Sequence, residues 1–385
     1  MMATKRLLDV CDFQGGTQPP KDEWINDPRE GYVRMLQIRD YSQGDAKYIQ
    51  YVKDTKKLHK CTKDDIMLSR YGYIGQAFIG LEGAYNVALV KVIKKAEIHT
   101  PYLLCYFQSY YFQHFLLSNV GARATIPGFN KDELEKALIR IPEMCKQIEI
   151  ASKITKVDEL IGFHKQQLNV LDTLIKSRFI EMFGDPKRNP RKWDMVTIGD
   201  IATDVRYGTS RPATEGGKYP YLRMNNLTYE GYLDLTDLKH IDIPDNEVEK
   251  CVVRNGDVLF NRTNSVELVG KTCVYNLDSD MIIAGYIIRV RIDDRVLPVI
   301  LSSYLNSTVM KEQLRSMAKG AVNQANINAQ ELRSIPIYLP PITLQHEFAT
   351  FVEQVDKSKF YIVQMQILLR LLTRAIQQKT TEVLL

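Results

Sequence analysis

Tyr32-Val33-Arg34-Met35 returns 189 residues later as Tyr221-Leu222-Arg223-Met224. The match then continues in order along the chain. Residues 66–70 (Ile-Met-Leu-Ser-Arg) return as 258–262 (Val-Leu-Phe-Asn-Arg), each followed by an apolar-Gly pair, Ile74-Gly75 and Val269-Gly270. Tyr106-Phe107-Gln108-Ser109 returns as Tyr304-Leu305-Asn306-Ser307 at an offset of 198. Glu133-Leu134 and Glu331-Leu332, Ile141-Pro142 and Leu339-Pro340, Gln147 and Gln345, and Asp158 and Asp356 keep that offset. A drift from 189 to 198 is what a few loop insertions produce. A chain that repeats itself collinearly folds as copies of one unit.

Each copy has two parts. The first mixes strand and helix signals. Asn255-Gly256 is a hairpin signal leading into a strand over 257–260, and 281–291 reads as one buried strand. Residues 101–117 and 298–317 each read as one helix opened by a proline. The second part is a long helix. Between 148 and 182, Ile150, Ile154, Val157, Ile161, His164, Leu168, Leu171 and Ile175 alternate at spacings of four and three, a heptad seam. In the second copy the seam reads Leu344, Phe348, Phe351, Val355, Ser358, Ile362, Met365, Leu369, Leu372 and Ile376. Such stripes also pack on a chain's own domain, but two matched rods, each after one globular unit, favour packing on one another. The expected fold class is α+β: two pseudo-repeated mixed α/β domains joined by two long helices packed as an antiparallel coiled coil. Antiparallel packing relates two equal units by an approximate two-fold axis. The expected segments are 1–142, a central helix over 143–186, 187–340, and a second helix over 341–385.

Composition narrows the class. At 45% apolar and 25% charged residues the chain is globular, not disordered. No apolar stretch approaches the ~20 residues of a membrane span. The first residues carry Lys5, Arg6, Asp9 and Asp12 without a long apolar core, unlike a signal peptide. Cys11, Cys61, Cys105, Cys145, Cys251 and Cys273 are scattered, which argues against a zinc ribbon or a disulfide scaffold. A cytoplasmic protein without membrane contact is expected. The net charge of +5 is small, so any nucleic-acid binding must use clustered side chains on folded surfaces. There is no P-loop, no Gly-rich dinucleotide turn and no His-Glu-x-x-His. The Asn/Asp-Pro-Pro-aromatic run of an aminomethyltransferase is missing too. Pro244-Asp245 with Glu247, Glu249 and Lys250 lacks the Glu-x-Lys step of a nuclease and reads as an exposed turn. No catalytic residue and no metal site are expected.

What repeats instead is polar furniture. Gly15-Gly16-Thr17-Gln18-Pro19 and Tyr207-Gly208-Thr209-Ser210-Arg211-Pro212 are matching loops, where free backbone amides would meet phosphates. Arg34, followed by Gln37, and Arg223, followed by Asn225 and Asn226, lie on matching short strands. Arg70, with Tyr71, and Arg262, with Asn264, lie where a strand runs out into a Gly-bearing loop. Gly121-Ala122-Arg123 and Lys319-Gly320-Ala321 open matching polar loops, the second continuing Asn323-Gln324. Arg reads guanine, Asn and Gln read adenine, and Lys mostly reaches phosphate. The competing interpretation is that the repeated Gly and Pro mark turn geometry and a repeated Arg forms a structural ion pair.

The ordered set of unit, long helix, unit, long helix resembles the specificity (S) subunit of type I restriction–modification systems, over essentially the whole chain. The resemblance rests on the Gly-Thr-x-Pro loops, the Tyr-x-Arg strands, the closing Leu-Pro-Pro-Ile-x-x-Gln-x-x-Phe of 339–348, and Trp193-x-x-Val196-x-Ile198-Gly199-Asp200-Ile201 opening the second unit. The first copy departs from it: Arg6-Leu7-Leu8-Asp9-Val10 has no Trp, and Ile141-Pro142-Glu143-Met144 lacks the second Pro.

The resemblance implies that 1–142 and 187–340 are target recognition domains, each reading one half of a bipartite double-stranded DNA target, with the helices as spacer and docking platform. It implies a non-catalytic chain that binds no cofactor. Its partners would be two methyltransferase subunits carrying S-adenosylmethionine and, through them, restriction/translocase subunits using ATP and Mg. Because 221–226 differs from 32–37, the half-sites are expected to differ. Three alternatives stay open: an enzyme of unfamiliar motif, a coiled-coil protein adaptor without DNA binding, and a specificity module of a type II-like or other defence methyltransferase complex.

Overall fold

The computed structural model describes residues 3–42, 48–120, 128–321 and 324–381, excluding the side chains of 3, 319–321, 324 and 379–381. The chain divides into two compact units, one of residues 1–164 with 363–385, the other of residues 165–362. This division cuts both long helices near their middles, where the sequence partition kept each whole. No helix of the described residues is long and apolar enough to cross a membrane.

The two units share three sheets of the same topology. In the first, Cys11–Gly15, Leu89–Lys94, Met67–Ser69 and Ala77–Phe78 form an antiparallel sheet in that order. A second sheet runs Tyr51–Lys53, Tyr32–Leu36, Gly83–Tyr85, Lys60–Cys61, its middle pair parallel. Ala3–Arg6 pairs with Leu138–Ile141 to close the unit. In the second unit the equivalents are Ala202–Tyr207, Ile287–Ile292, Val258–Asn261, Thr272–Val274; then Lys239–Ile241, Tyr219–Leu222, Met281–Ile283, Val252–Val253; and Asp194–Thr197 with Pro336–Leu339. The main core of each unit lies between sheet and helices, around Leu68, Leu103, Phe107 and Phe112 in one and Phe260, Leu301, Tyr304 and Leu314 in the other.

Several local expectations change. Residues 281–291 form two strands, Met281–Ile283 and Ile287–Ile292, because the chain turns at Ala284–Tyr286 (Ile287 N to Ala284 O, 2.9 Å) and passes from one sheet to the other. Asn255-Gly256 is likewise no hairpin: Gly256 sits at φ +91°, but the strands on either side belong to different sheets. The proline-opened helices are each two helices, Thr100–Phe107 with Tyr110–Asn119 and Pro298–Asn306 with Thr308–Met317. They break where the hydroxyls of Ser109 and Ser307 accept the Phe112 and Met310 amides as N-caps. The Pro244 stretch is helix Asp245–Cys251, with Glu247 paired to Arg211 and Glu249 to Arg254.

The long helices span Met144–Phe183 and Ile342–Thr381. Each starts on a buried glutamine: Gln147 accepts from the His99 amide and donates to Pro142 O, and Gln345 does the same with Leu297 and Pro340. In the second unit their facing halves run antiparallel, with Phe183 and Phe179 on Phe348, Arg178 over the Phe351 ring, and Asp172 on Lys359. In the first unit Ile150 and Ile154 lie in the core that Ile376 packs against. The seam of the second helix departs from the heptad. Met365 and Leu372 are exposed and Ser358 faces solvent, while Lys359 and Gln366 are buried. A straight helix drifts ~20° per heptad from a 3.5-residue repeat, so the inward face moves on by one position.

Candidate nucleic-acid interface

In the second unit, Thr209, Ser210, Arg211, Arg223, Asn225 and Arg262 line one open cavity of about 580 Å³, walled by Tyr221 and Tyr286. Four separate stretches of sequence therefore meet on one surface. The Gly-Thr loop is held there by the sheet beneath it. Gly208 N donates to Ile287 O and Thr209 N to Ile283 O, as Gly16 N does to Leu89 O and Thr17 N to Tyr85 O. A Cβ on Gly208 would lie 2.1 Å from Ile283 O, and one on Gly16 2.0 Å from Asn86 O, so only glycine permits this approach. These amides are thus occupied and not free for phosphate; the glycines serve close backbone packing. Ser210 and Arg211, beyond the bonded pair, are exposed.

The arginines fall into two kinds. Arg223 donates to the carboxylate and carbonyl of Asp237, and Arg34 to the carboxylate of Asp40 at 2.8 Å. Arg223, with Lys239, holds the Asp237 carboxyl below the usual carboxylate range. Arg211 is bidentate on Glu247, and that pairing lowers the Glu247 carboxyl in turn. Arg70 and Arg262 have no carboxylate partner among the described residues. Arg262 stacks 4.9 Å over the Tyr207 ring, its Nε buried without a hydrogen bond. Arg70 lies 5.3 Å from the Tyr71 ring centroid and donates to Phe129 O and Asn130. Both start from the same backbone bond, Arg70 N to Ala88 O and Arg262 N to Tyr286 O.

The polar loop opened by Lys319 comes beside Arg262 as a small antiparallel sheet. Thr263–Asn264 pairs with Gln324–Asn326, which pairs with Lys319–Ala321. In the first unit a bridge between Tyr71 and Gly128 stands at the equivalent place. Arg123 and Asn323 lie outside the described residues, as do the side chains of Lys319 and Gln324.

Some candidates are spent on structure. Asn226 is 2% exposed; its carboxamide oxygen accepts the Arg223 amide and its nitrogen donates to Asp234 O. It shapes the segment that carries Arg223 and is withdrawn from solvent. Asn264 shares its side chain between Asn261 and the Ser265 amide. Gln37 donates to Gln50, and exposed Gln18 to Pro19 O. Sequence reasoning missed Tyr207 and Tyr286, the exposed aromatics beside Arg262. The only signal for Tyr207 was its place in the Gly-Thr loop, and none singled out Tyr286.

Among the described residues no group of His, Cys, Asp or Glu is arranged to hold a metal. The geometry defines a class of internally repeated protein: two equivalent α+β units, each offering an arginine-bearing loop surface, with long antiparallel helices. The chain belongs to the type I restriction modification DNA specificity domain family, whose model matches residues 1–173 and 190–372. It is similar to the type I restriction enzyme EcoKI specificity subunit of Escherichia coli K12, 21% identical over 367 residues, covering 88% of this chain and 79% of that one. It is also similar to a putative type I restriction enzyme MjaX specificity subunit of Methanocaldococcus jannaschii, 28% identical over 171 residues, covering 43% and 40% of the two chains. The fold matches the S subunit of a type I restriction–modification system from M. genitalium, with a TM-score of 0.51 and 13% identity over 99% of this chain and 96% of that one. It also matches a chain solved in work on complex assembly and conformational transition of the type I R-M system, with a TM-score of 0.57 and 18% identity over 98% and 97%.

Proposed function

We propose that this chain is the sequence-reading, non-catalytic subunit of a type I restriction–modification complex. Each globular domain reads one half of a bipartite duplex target. The observation that carries this reading is the cavity lined by Thr209, Ser210, Arg211, Arg223, Asn225 and Arg262, with its counterpart residues on the same scaffold in the first unit. Guanidinium groups beside exposed amide and hydroxyl side chains suit base edges and phosphates together.

The helices are the spacer and the docking platform for methyltransferase subunits, and restriction/translocase subunits join through those. Apolar residues facing solvent support docking: Ile367, Leu368, Leu371 and Leu372 on the second helix are 47–58% exposed, and Phe163 on the first is 60% exposed. An apolar face of this kind on a helix is a partner surface. S-adenosylmethionine would belong to the methyltransferase, and ATP with Mg to the restriction subunit.

Methylation mapping of a genome expressing this chain with its methyltransferase tests the proposal. The expected result is a gapped motif with two different halves, absent when the chain is removed. Methylation that persists without the chain would refute it. Deleting 157–163 together with 365–371 removes one heptad from each helix and spares Lys359, but it also takes away Phe163, Ile367, Leu368 and Leu371. Co-purification with the methyltransferase is therefore measured first, and the gap is read on the assembled complex. The deletion should shorten the gap by about three base pairs, at ~1.5 Å of helix per residue and ~3.4 Å per base step, and leave both half-sites unchanged.

A further inference from the structure

The loop that follows each of the two carboxylate-free arginines is built the same way in both units and ends in exposed apolar side chains that the function above does not use. In the first unit, Gly75 N returns to Ser69 O at 2.7 Å, and the Ser69 hydroxyl accepts the Gln76 amide at 2.9 Å and bonds Tyr73 O. In the second, Gly270 N returns to Asn261 O at 2.9 Å, and Ser265 O accepts the Leu268 and Val269 amides. Both closing glycines sit at φ +79°. In both, a leucine occupies the space a Cβ would need: a Cβ on Gly75 would lie 2.5 Å from Leu116 Cδ2, and one on Gly270 2.7 Å from Leu314 Cδ1. In both, a side chain one turn earlier on the same helix grips the glycine carbonyl: Gln113 Nε2 to Gly75 O at 2.6 Å, Lys311 Nζ to Gly270 O at 2.7 Å. Residues 113 and 311 stand 198 apart, as do 116 and 314, so the whole fastening repeats.

The tips differ. Tyr73 is 77% exposed on the first loop; Val266 and Leu268 are 46% and 40% exposed on the second. A loop closed by the same glycine and fastened at the same two helix positions, while its apolar tip changes from one aromatic to two aliphatic side chains, separates holding from reading. Loops fastened at both ends and to a helix present such tips in one place, so little ordering entropy is lost on contact.

We propose that these loops are preformed fingers whose tips, Tyr73 in one unit and Val266 with Leu268 in the other, make apolar contact with bases of their own half-sites, with Gln113 and Lys311 as positioning residues. The inference rests on the DNA-reading function proposed above. Apolar groups meet bases through the thymine methyl or by stacking and wedging, and arginine beside the tip supplies the polar contact.

The test measures binding of duplexes by the chain assembled with its methyltransferase partner. Probes are the mapped target, a target scrambled in one half, and a fully scrambled duplex. Tyr73→Ala should weaken binding to the mapped target about tenfold, the scale of one lost stacking contact. It should reduce discrimination at the first half-site only and leave the scrambled duplex unaffected, while Tyr73→Phe retains wild-type preference. Val266→Ser with Leu268→Ser should do the same at the second half-site. Gln113→Ala should mimic Tyr73→Ala, and Gln113→Lys should rescue it, since lysine serves in the other copy. If Tyr73→Ala does not assemble, Tyr73→Glu is read in its place. Wild-type discrimination in the tip variants overturns the fingers while leaving DNA reading intact. A wild-type complex that does not distinguish mapped from scrambled duplex overturns both.

Discussion

The two units fasten equivalent parts with different chemistry. Where the first unit has the neutral Gln113 on the finger, the second has Lys311, 4% exposed. Where the first long helix carries Ile161, the equivalent position of the second is Lys359, whose ammonium lies 2.5 Å from Asp172, bonds Tyr232 and sits 4.1 Å from that ring's centroid. Tyr232 belongs to the hairpin of 227–234 that also holds Asn226, so in this unit the segment after Arg223 and both helices share one buried ionic cluster. The first unit has an aliphatic side chain, the partly buried Ile161, at that position. The lesson is that a repeat preserves geometry before it preserves charge: any side chain that fills the space and satisfies the facing polar atoms can serve.

Breaking the Lys359 cluster should give the largest effect. Lys359→Ala leaves Asp172 and Tyr232 without their cation and should cost about 3–5 kcal/mol, whereas Lys359→Met with Asp172→Leu, copying the apolar solution of the first unit, should be near neutral. Urea unfolding of both variants checks this, and equal losses would mean that packing, not charge, holds the junction. Next come the arginines free of carboxylates. Arg262→Ala should weaken recognition of the second half-site and Arg70→Ala that of the first, each by about 1–3 kcal/mol. Loss at both half-sites from either substitution would assign that arginine to folding. Arg34→Ala and Arg223→Ala also release an aspartate and should additionally lower stability.

A smaller effect separates Lys311 from Gln113. Burial, with Lys176, Arg315 and Lys271 close by, pushes the Lys311 ammonium down to about 7. An unfolded lysine binds its proton up to about 10.4, so between these values the unfolded state holds more protons and stability rises with pH. The contribution reaches at most ~1.4 kcal/mol per pH unit. Lys311→Gln should stabilise the chain at pH 7 and flatten the rise toward pH 10 in thermal melts; an unchanged slope would show that Lys311 titrates normally. Smallest of all, Lys357→Ala removes an exposed pair with Glu353 and should leave stability unchanged within error.

Much of this was legible in the sequence, residue by residue. Arg70 and Arg262 were found because each ends one of the matching segments 66–70 and 258–262, and the structure gives both the same backbone bond. Arg223, Arg262, Ser210 and Asn225, separated by up to 52 residues, were grouped only by repeating, yet they share one cavity. Asn226 looked like its neighbour Asn225, and nothing local told that its side chain turns inward. The second seam was misplaced at Met365 and Leu372 because hydrophobicity marks which residues prefer burial and cannot register a lysine that finds an aspartate across the helix pair.

By itself the sequence determined the two-fold repeat, the α+β class and the long helices, since these rest on periodicity and on spacing between like residues, which are properties of the chain alone. Only the tertiary structure decided which amides of the Gly-Thr loops are already bonded, where Ser109 and Ser307 break the helices, which arginines carry an aspartate, and that Lys359 and Gln366 face inward. Apart from the serine caps and the Arg34–Asp40 pair, which are local, these depend on partners distant in the chain. Hydrogen bonds and ion pairs act over a few ångströms, so they exist only once folding has brought the partners together.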